Sequence, residues 1–217
     1  MSNITLPNES AEYREHRDRL LTAEAELRAK IEEVAGLRRS LPVGGEVTSY
    51  TFDSADGPVQ LADLFGDHDT LILYSYMYAE NAEHPCPMCS AFMDSLAGQI
   101  HHIHQRTAMA VVARSSMPRI QALVQQQSWG SIPWLSAANN TYPVDYKSEM
   151  PDGAQVPMCN VFVKRDGVVR HFWTSELFFV GWENHPRHVD MLWPLWHFFD
   201  LLPEGRGDFM PGLNYAE

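Results

Sequence analysis

An apolar and aromatic run, Leu71-Ile72-Leu73-Tyr74-Ser75-Tyr76, leads shortly into His84-Pro85-Cys86-Pro87-Met88-Cys89, and a helix-compatible segment follows. A continuous run of this kind reads as a strand buried on both faces. A buried strand that runs into a C-x-x-C pair at the head of a helix is the arrangement of a redox dithiol. If Cys86 caps the helix, its sulfur meets backbone N–H groups that lack intrahelical acceptors, at the positive end of the helix dipole. Both favour thiolate over thiol and lower the pKa. Cys89, one turn on, lies close enough to close a disulfide and resolve a mixed intermediate. Cys86 is therefore read as the nucleophile and Cys89 as the resolving thiol. From the spacing alone two other readings stay open: half of a zinc site, or two unreactive core thiols.

The rest of the chain bears on that choice. Three cysteines in 217 residues is an odd, small number, wrong for a secreted disulfide framework. Residues 1–15 are polar and acidic, without the basic and then apolar stretch of a secretory signal. The expected location is the reducing cytoplasm, where a dithiol is more often catalytic or metal-binding than structural. A net charge of −12 argues against nucleic-acid and anionic-membrane partners, because phosphates demand a basic patch. No run approaches the roughly eighteen apolar residues of a membrane span. With 45% apolar and 20% charged residues the chain is globular, and long enough for one domain with attachments.

Three regions follow. Residues 1–42 hold one long helix over 8–40, capped by Asn8 or Ser10, with Leu20, Leu27, Ile31, Val34 and Leu41 on one face. Its apolar face is expected to pack on the domain, or else on a partner in a homodimer. Residues 43–200 form the domain. A strand over 46–52 turns at Ser54-Ala55-Asp56-Gly57 into a second near Val59, and residues 61–66 form a short helical turn. After the dithiol come a helix over 88–105, a strand over 108–113, a helix opened by Ser115-Ser116 and Pro118 and running to Gln127, and a short strand over 132–135. Residues 139–155 read as an irregular loop. Two strands joined at Arg165-Asp166-Gly167 make a hairpin, and Glu176 to Phe199 are expected to be helical at least from Arg187 on, interrupted by Pro186 and Pro194. Residues 201–217 are an irregular tail. Strand–helix–strand implies a parallel pair with a right-handed crossover, and the hairpin adds antiparallel strands. The expected fold is α/β: a mixed central sheet flanked by helices.

Other residues offer ligands or modulators. Cys86, Cys89, His101 and His104 fall at C-x2-C-x11-H-x2-H, near zinc-finger spacing. On one continuous helix His101 would lie roughly 18 Å from Cys89, so a four-ligand site requires a break at Gly98. A site of Cys86, Cys89 and His84 with a more distant ligand is the remaining metal option, but no metal and no cofactor is the expectation. His84, if protonated, would depress the Cys86 pKa further. Glu80 and Glu83 would accept protons or oppose thiolate formation. Cys159 reads as a small buried hydrophobe more than a third redox thiol. Trp173, Trp182, Trp193, Trp196, Phe198 and Phe199 read as core packing rather than a pocket lining.

The segment from Val156-Pro157 through Val161-Phe162-Val163 to Arg165-Asp166-Gly167 resembles the thioredoxin pattern of a cis-proline leading a strand into a charged turn. Residues 52–64 resemble the N-terminal hairpin of the peroxiredoxin-like branch of that fold. Taken with Arg38-Arg39-Ser40-Leu41-Pro42, the C-P-x-C, Ser128-Trp129, Pro133-Trp134 and Leu201-Leu202-Pro203-Glu204-Gly205-Arg206-Gly207, the chain is similar to the family catalogued as domain of unknown function 899. The resemblance implies a thioredoxin-like sheet, a substrate groove made by Val156, Pro157, Pro87 and Met88 beside Cys86, and a disulfide-containing protein or small thiol as partner. The alternative it allows is a non-catalytic module that binds a metal or a protein through the same loop. The peroxidase signature of peroxiredoxins has threonine three residues before its cysteine; here Glu83 stands there before Cys86, and Cys86 before Cys89.

Overall fold

A computed structural model describes residues 4–42, 44–181, 189 and 191–213. The chain divides into two compact units, Met1–Pro42 and Val43–Glu217. In the first, helix α1 (Ala11–Arg39) starts at Ser10, whose hydroxyl accepts the Tyr13 N–H at 3.1 Å. Glu12 lies in its first turn and Arg38 and Arg39 in its last, both signs complementing the helix dipole. An Arg14–Asp18 pair at 2.9 Å adds an i,i+4 brace. No residue of α1 is buried. Among the described residues no helix is long and apolar enough to cross a membrane.

The second unit is built on a seven-stranded mixed sheet. Its strands are β1 (Thr51–Ser54), β2 (Gly57–Gln60), β3 (Thr70–Tyr76), β4 (Ala108–Ala113), β5 (Trp134–Ser136), β6 (Met158–Arg165) and β7 (Val168–Thr174). They lie in the order β2-β1-β5-β4-β3-β6-β7, with β3, β4 and β5 parallel and the remaining neighbours antiparallel. From β3 to β4 to β5 the chain steps in one direction, so right-handed crossovers put both connections on one face. Those connections carry α2 (Pro87–Ala97), α3 (Ile100–Ile103) and α4 (Met117–Gln127). Phe92, Met93, Leu96, Ile100, Ile120 and Leu123 from these helices join Tyr74 and Tyr76 of β3 and Met109 and Val111 of β4 in one core. Leu71 and Leu73, pointing the other way, join Phe52, Phe65, Tyr142 and Phe162 in a second core under α5 (Tyr142–Asp145). Alternation along β3 thus feeds both layers. This is the thioredoxin-like α/β arrangement expected from the sequence.

Three expectations are corrected. The helix over 88–105 breaks at Gly98, a residue type that disfavours helix by about 1 kcal/mol against alanine, and resumes as α3 with Ile100 fully buried. Among the described residues the terminal helix is α6 (Leu195–Phe199), with Pro194 at its start, where a missing amide hydrogen is tolerated; residues 182–188 and 190, which include Trp182 and Arg187, lie outside the described residues. Residues 46–50 are not part of β1. Glu46 instead bridges Arg170, and the Val47 N–H donates to the Val169 carbonyl, so this segment runs along β7.

That edge contact makes Gly44 obligatory. A Cβ on Gly44 would sit 1.9 Å from the His171 carbonyl oxygen, whereas one on Gly45 would meet nothing within 4 Å. The His171 N–H also donates to the Gly45 carbonyl at 3.0 Å, which pins the approach. Gly44→Ala is expected to cost about 1–3 kcal/mol, the usual penalty for forced overpacking, and Gly45→Ala less than half of that. Urea denaturation midpoints of the two variants check it. The hairpin between β6 and β7 needs its sequence in another way: Asp166 and Gly167 both take positive φ, 51° and 77°, as a two-residue primed turn demands.

Candidate dithiol site

Pro87, whose ring pre-sets a helical φ and whose missing N–H costs nothing there, opens α2. Cys86 is therefore the N-cap, with extended backbone at φ −65° and ψ 121°. Its N–H donates to the Met77 carbonyl at 3.1 Å, which ties the cap to the end of β3. Its carbonyl accepts the Ser90 N–H at 3.0 Å and the Ser90 hydroxyl at 3.0 Å. Its sulfur accepts the Cys89 N–H at 3.5 Å, as a serine oxygen would at this position. Cys86 is half-buried and Cys89 fully buried; neither these two nor Cys159 is in a disulfide.

The two sulfurs are driven apart electrostatically. The Cys86 thiol is lowered from 9.0 to about 6, chiefly by the hydrogen bond from the Cys89 side chain, with the Cys89 and Met88 amides helping and burial opposing. Cys89 moves the other way. Burial raises it most, then its hydrogen bond to Cys86 and the negative charge there, against a smaller lowering by the Tyr74 hydroxyl and the Met77 amide. One thiolate at the helix end and one buried thiol behind it is the division of labour that exchange chemistry requires.

The other predicted residues fall as follows. Met88 packs against the first core. Val156 and Pro157 are buried ahead of β6. The antiparallel register ends with Ser75 against Met158, and just beyond it Val156 and Met77 line one small cavity. Val156 thus stands beside the residue whose carbonyl holds the Cys86 amide. His84 is exposed, its Nε2 3.7 Å from a Glu83 carboxylate oxygen. His84, Glu83 and Pro85 line a cleft of about 530 Å³ with Arg119 and Gln126 of α4. Glu80 does not face the dithiol: its carboxylate accepts the Ser116 N–H at 2.6 Å and the Ser116 hydroxyl at 3.1 Å, capping α4. That amide bond, more than any other contact, holds its carboxyl below the usual range. Cys159 is buried opposite Tyr74, and burial lifts its thiol to about 12. Although the helix does break at Gly98, Cys86, Cys89, His101 and His104 do not gather: among the described residues no three His, Cys, Asp or Glu side chains converge on a metal position. Instead the His104 Nε2 lies 3.1 Å from the Met109 carbonyl. Trp193 and Trp196 are core residues, 5.1 Å apart edge to face, while Phe198 is exposed.

Two supports were not singled out from the sequence. Tyr74 and Tyr76, on one face of β3, reach Cys89 and Ser90 with their hydroxyls. Arg119 donates to the carbonyls of Ala79, Glu80 and Ala82 and to the Tyr78 hydroxyl, fixing the loop that ends at the dithiol. The period-two tyrosines of β3 were a legible signal for the first; nothing local marks the second.

Comparison with known proteins gives a family. The family model described as "Bacterial protein of unknown function (DUF899)" matches residues 4–216. Among curated proteins none matches. Similar solved structures include a yeast mitochondrial 1-Cys peroxiredoxin, 14% identical over 62% of this chain and 66% of that one, just under two thirds, at a TM-score of 0.46. A Xylella fastidiosa PrxQ variant is 14% identical over 62% of this chain and 84% of its own, at 0.47. A reduced Plasmodium vivax 2-Cys peroxiredoxin is 18% identical over 58% and 81%, at 0.44.

Proposed function

The chain belongs to the bacterial family of unknown function DUF899, and from the geometry of its dithiol we propose that it is a thiol–disulfide oxidoreductase. Cys86 attacks a disulfide and Cys89 resolves the mixed disulfide that results. One observation carries the reading: Cys86 caps α2 with its sulfur on the Cys89 amide and a thiol lowered to about 6, while Cys89 behind it is raised. In this reading the substrate is a disulfide-bearing protein or a small thiol disulfide. It meets Cys86 between Pro87 and Met88 on one side and Val156-Pro157 on the other, a groove supported by the cavity that Val156 shares with Met77, whose carbonyl accepts the Cys86 amide. A cis Val156–Pro157 bond is part of the same proposal. A metal at the loop has less support, since no third ligand joins the pair among the described residues.

Stoichiometric oxidation tests the proposal. Reduced protein treated with one equivalent of oxidised glutathione is expected to end with a Cys86–Cys89 disulfide and two released glutathione thiols. Cys159, buried at 1% exposure, should remain reduced. Peptide mapping without reduction reads the product; a protein that keeps both thiols, or oxidises only at Cys159, would sink the assignment.

A further inference from the structure

Strand β3 sends two hydroxyls into the first turn of α2, and they meet different atoms. The Tyr76 hydroxyl lies 2.7 Å from the Ser90 hydroxyl, which itself donates to the Cys86 carbonyl; it touches no sulfur. The Tyr74 hydroxyl donates to the Cys89 sulfur at 3.4 Å. Tyr74 and Cys89 are both 2% exposed, so this contact lies out of solvent. The Tyr74 ring is fixed edge-on against Phe92 at 4.8 Å between centroids, and its backbone is held in the centre of the sheet.

Resolution is the step at which a buried sulfur must carry charge. The starting species is a mixed disulfide between Cys86 and a substrate thiol. Cys89 gives up its proton and its sulfur attacks the Cys86 sulfur. The bond from Cys86 to the substrate sulfur breaks, and that sulfur leaves with the electron pair and takes up the proton. Two cysteine thiols have been oxidised to one disulfide, and the substrate disulfide has been reduced to two thiols. Charge on the Cys89 sulfur is opposed by the burial that surrounds it. Apart from tyrosines and cysteines, the buried polar side chains among the described residues are serines and one asparagine, none of them a carboxylate.

Resting on the oxidoreductase reading above, we propose that Tyr74 is a catalytic residue of the resolving step, its hydroxyl donating to the Cys89 sulfur as that sulfur becomes a thiolate. The hydroxyl acts as a donor and not as a base. Burial, and then the neighbouring cysteines, push its own ionisation well above the ordinary value, so it keeps its proton throughout. The Met77 amide is the second donor toward the same sulfur.

Rapid mixing with 5,5′-dithiobis(2-nitrobenzoate) separates the steps, because attack by Cys86 releases one coloured thiolate and resolution by Cys89 releases a second. Tyr74→Phe should leave the first phase and its pH midpoint unchanged. It should slow the second about tenfold or more, as expected for loss of a hydrogen bond to a charged acceptor, and move the pH midpoint of that phase upward. Tyr76→Phe removes an equally buried hydroxyl that touches no sulfur, and should leave the second midpoint in place. Incorporation of 3-fluorotyrosine in place of Tyr74 gives a stronger donor of nearly unchanged shape and should speed the second phase, whatever the stability of the phenylalanine variant. Resolution at the wild-type rate in Tyr74→Phe, an equal shift in Tyr76→Phe, or no acceleration by the fluorinated residue overturns the proposal. A wild-type protein that releases no first thiolate overturns the oxidoreductase reading itself, which distinguishes the two failures.

Discussion

Iodoacetamide should alkylate Cys86 in the native protein with a pH midpoint near 6, while Cys89 and Cys159 stay unmodified through neutral pH. Cys86 is half-buried at a helix N-terminus, with the Cys89 side chain and two backbone amides directed at its sulfur, and its thiol is lowered to about 6. Cys89 and Cys159 are raised by burial and are inaccessible besides. The midpoint is the diagnostic quantity, not the rate. At pH 7 a thiol near 9 is about 1% ionised, but the intrinsic nucleophilicity of a thiolate falls with its pKa at a Brønsted slope of about 0.4–0.5, which cancels much of the roughly hundredfold gain in thiolate. Mass-spectrometric mapping of labelled peptides across pH 4 to 10 gives the midpoint (range set by the ordinary and shifted thiols). A Cys86 that titrates near 9 would remove the ground for calling it the nucleophile.

The same shift has a consequence for stability whose sign is fixed. Cys86 is a group whose pKa is depressed on folding, so between about 6 and 9 the unfolded chain binds a proton that the native protein has lost. The stabilisation is fully present above 9, and is lost as pH falls through 6. Its ceiling is on the order of 4 kcal/mol, three pKa units at about 1.4 kcal/mol each, before solvent screening reduces it. Cys89 and Cys159 act oppositely, since they stay protonated in the fold where the unfolded chain would ionise, and they erode stability above 9. The stability difference between wild type and Cys86→Ser should therefore grow with pH from 6 to 9. A flat difference would contradict the alkylation result.

How much of this was legible in the sequence depends on how local the cause is. The dithiol, its cap and its strand are local: Leu71 to Tyr76 alternate between two cores, and Pro87 can only open a helix. The strand β4 and the helix α4 likewise fall where the residues alone put them, since β-branched and small residues fill the first and Ser116-x-Pro118 starts the second. What was not legible needs a partner distant in the chain. Residues 44–47 run beside β7 because a carbonyl at His171 lies against a glycine, which no window around Gly44 reveals. Glu80 looks like a candidate acid beside the dithiol until Ser116, thirty-six residues on, is seen to take its carboxylate. Tyr74 reads as one more aromatic in a buried strand; only the fold brings its hydroxyl to Cys89.

The largest effect of any single substitution should come from Cys89→Ser. Attack by Cys86 does not need the Cys89 proton, but resolution needs a second sulfur, and a serine hydroxyl is not nucleophilic enough to replace it. Incubated with oxidised glutathione, Cys89→Ser should therefore accumulate one glutathione on Cys86 and stop there, where wild type passes on to the internal disulfide. The Cys86 lowering comes chiefly from the Cys89 side chain, and a serine hydroxyl at that position can donate to the Cys86 sulfur in its place, so attack should survive the substitution. Cys86→Ser should form no adduct and hold its fold, because serine is a favoured N-cap and can accept the same amide of residue 89. Cys159→Ser should go on to the Cys86–Cys89 disulfide like wild type, but melt lower, since it sets a hydroxyl among apolar neighbours at a cost of about 1–3 kcal/mol. Intact-mass spectra of the three variants, taken with their melting curves, read these outcomes together. The roles are wrong if Cys89→Ser carries no adduct, or if loss of Cys159 rather than of Cys86 abolishes exchange.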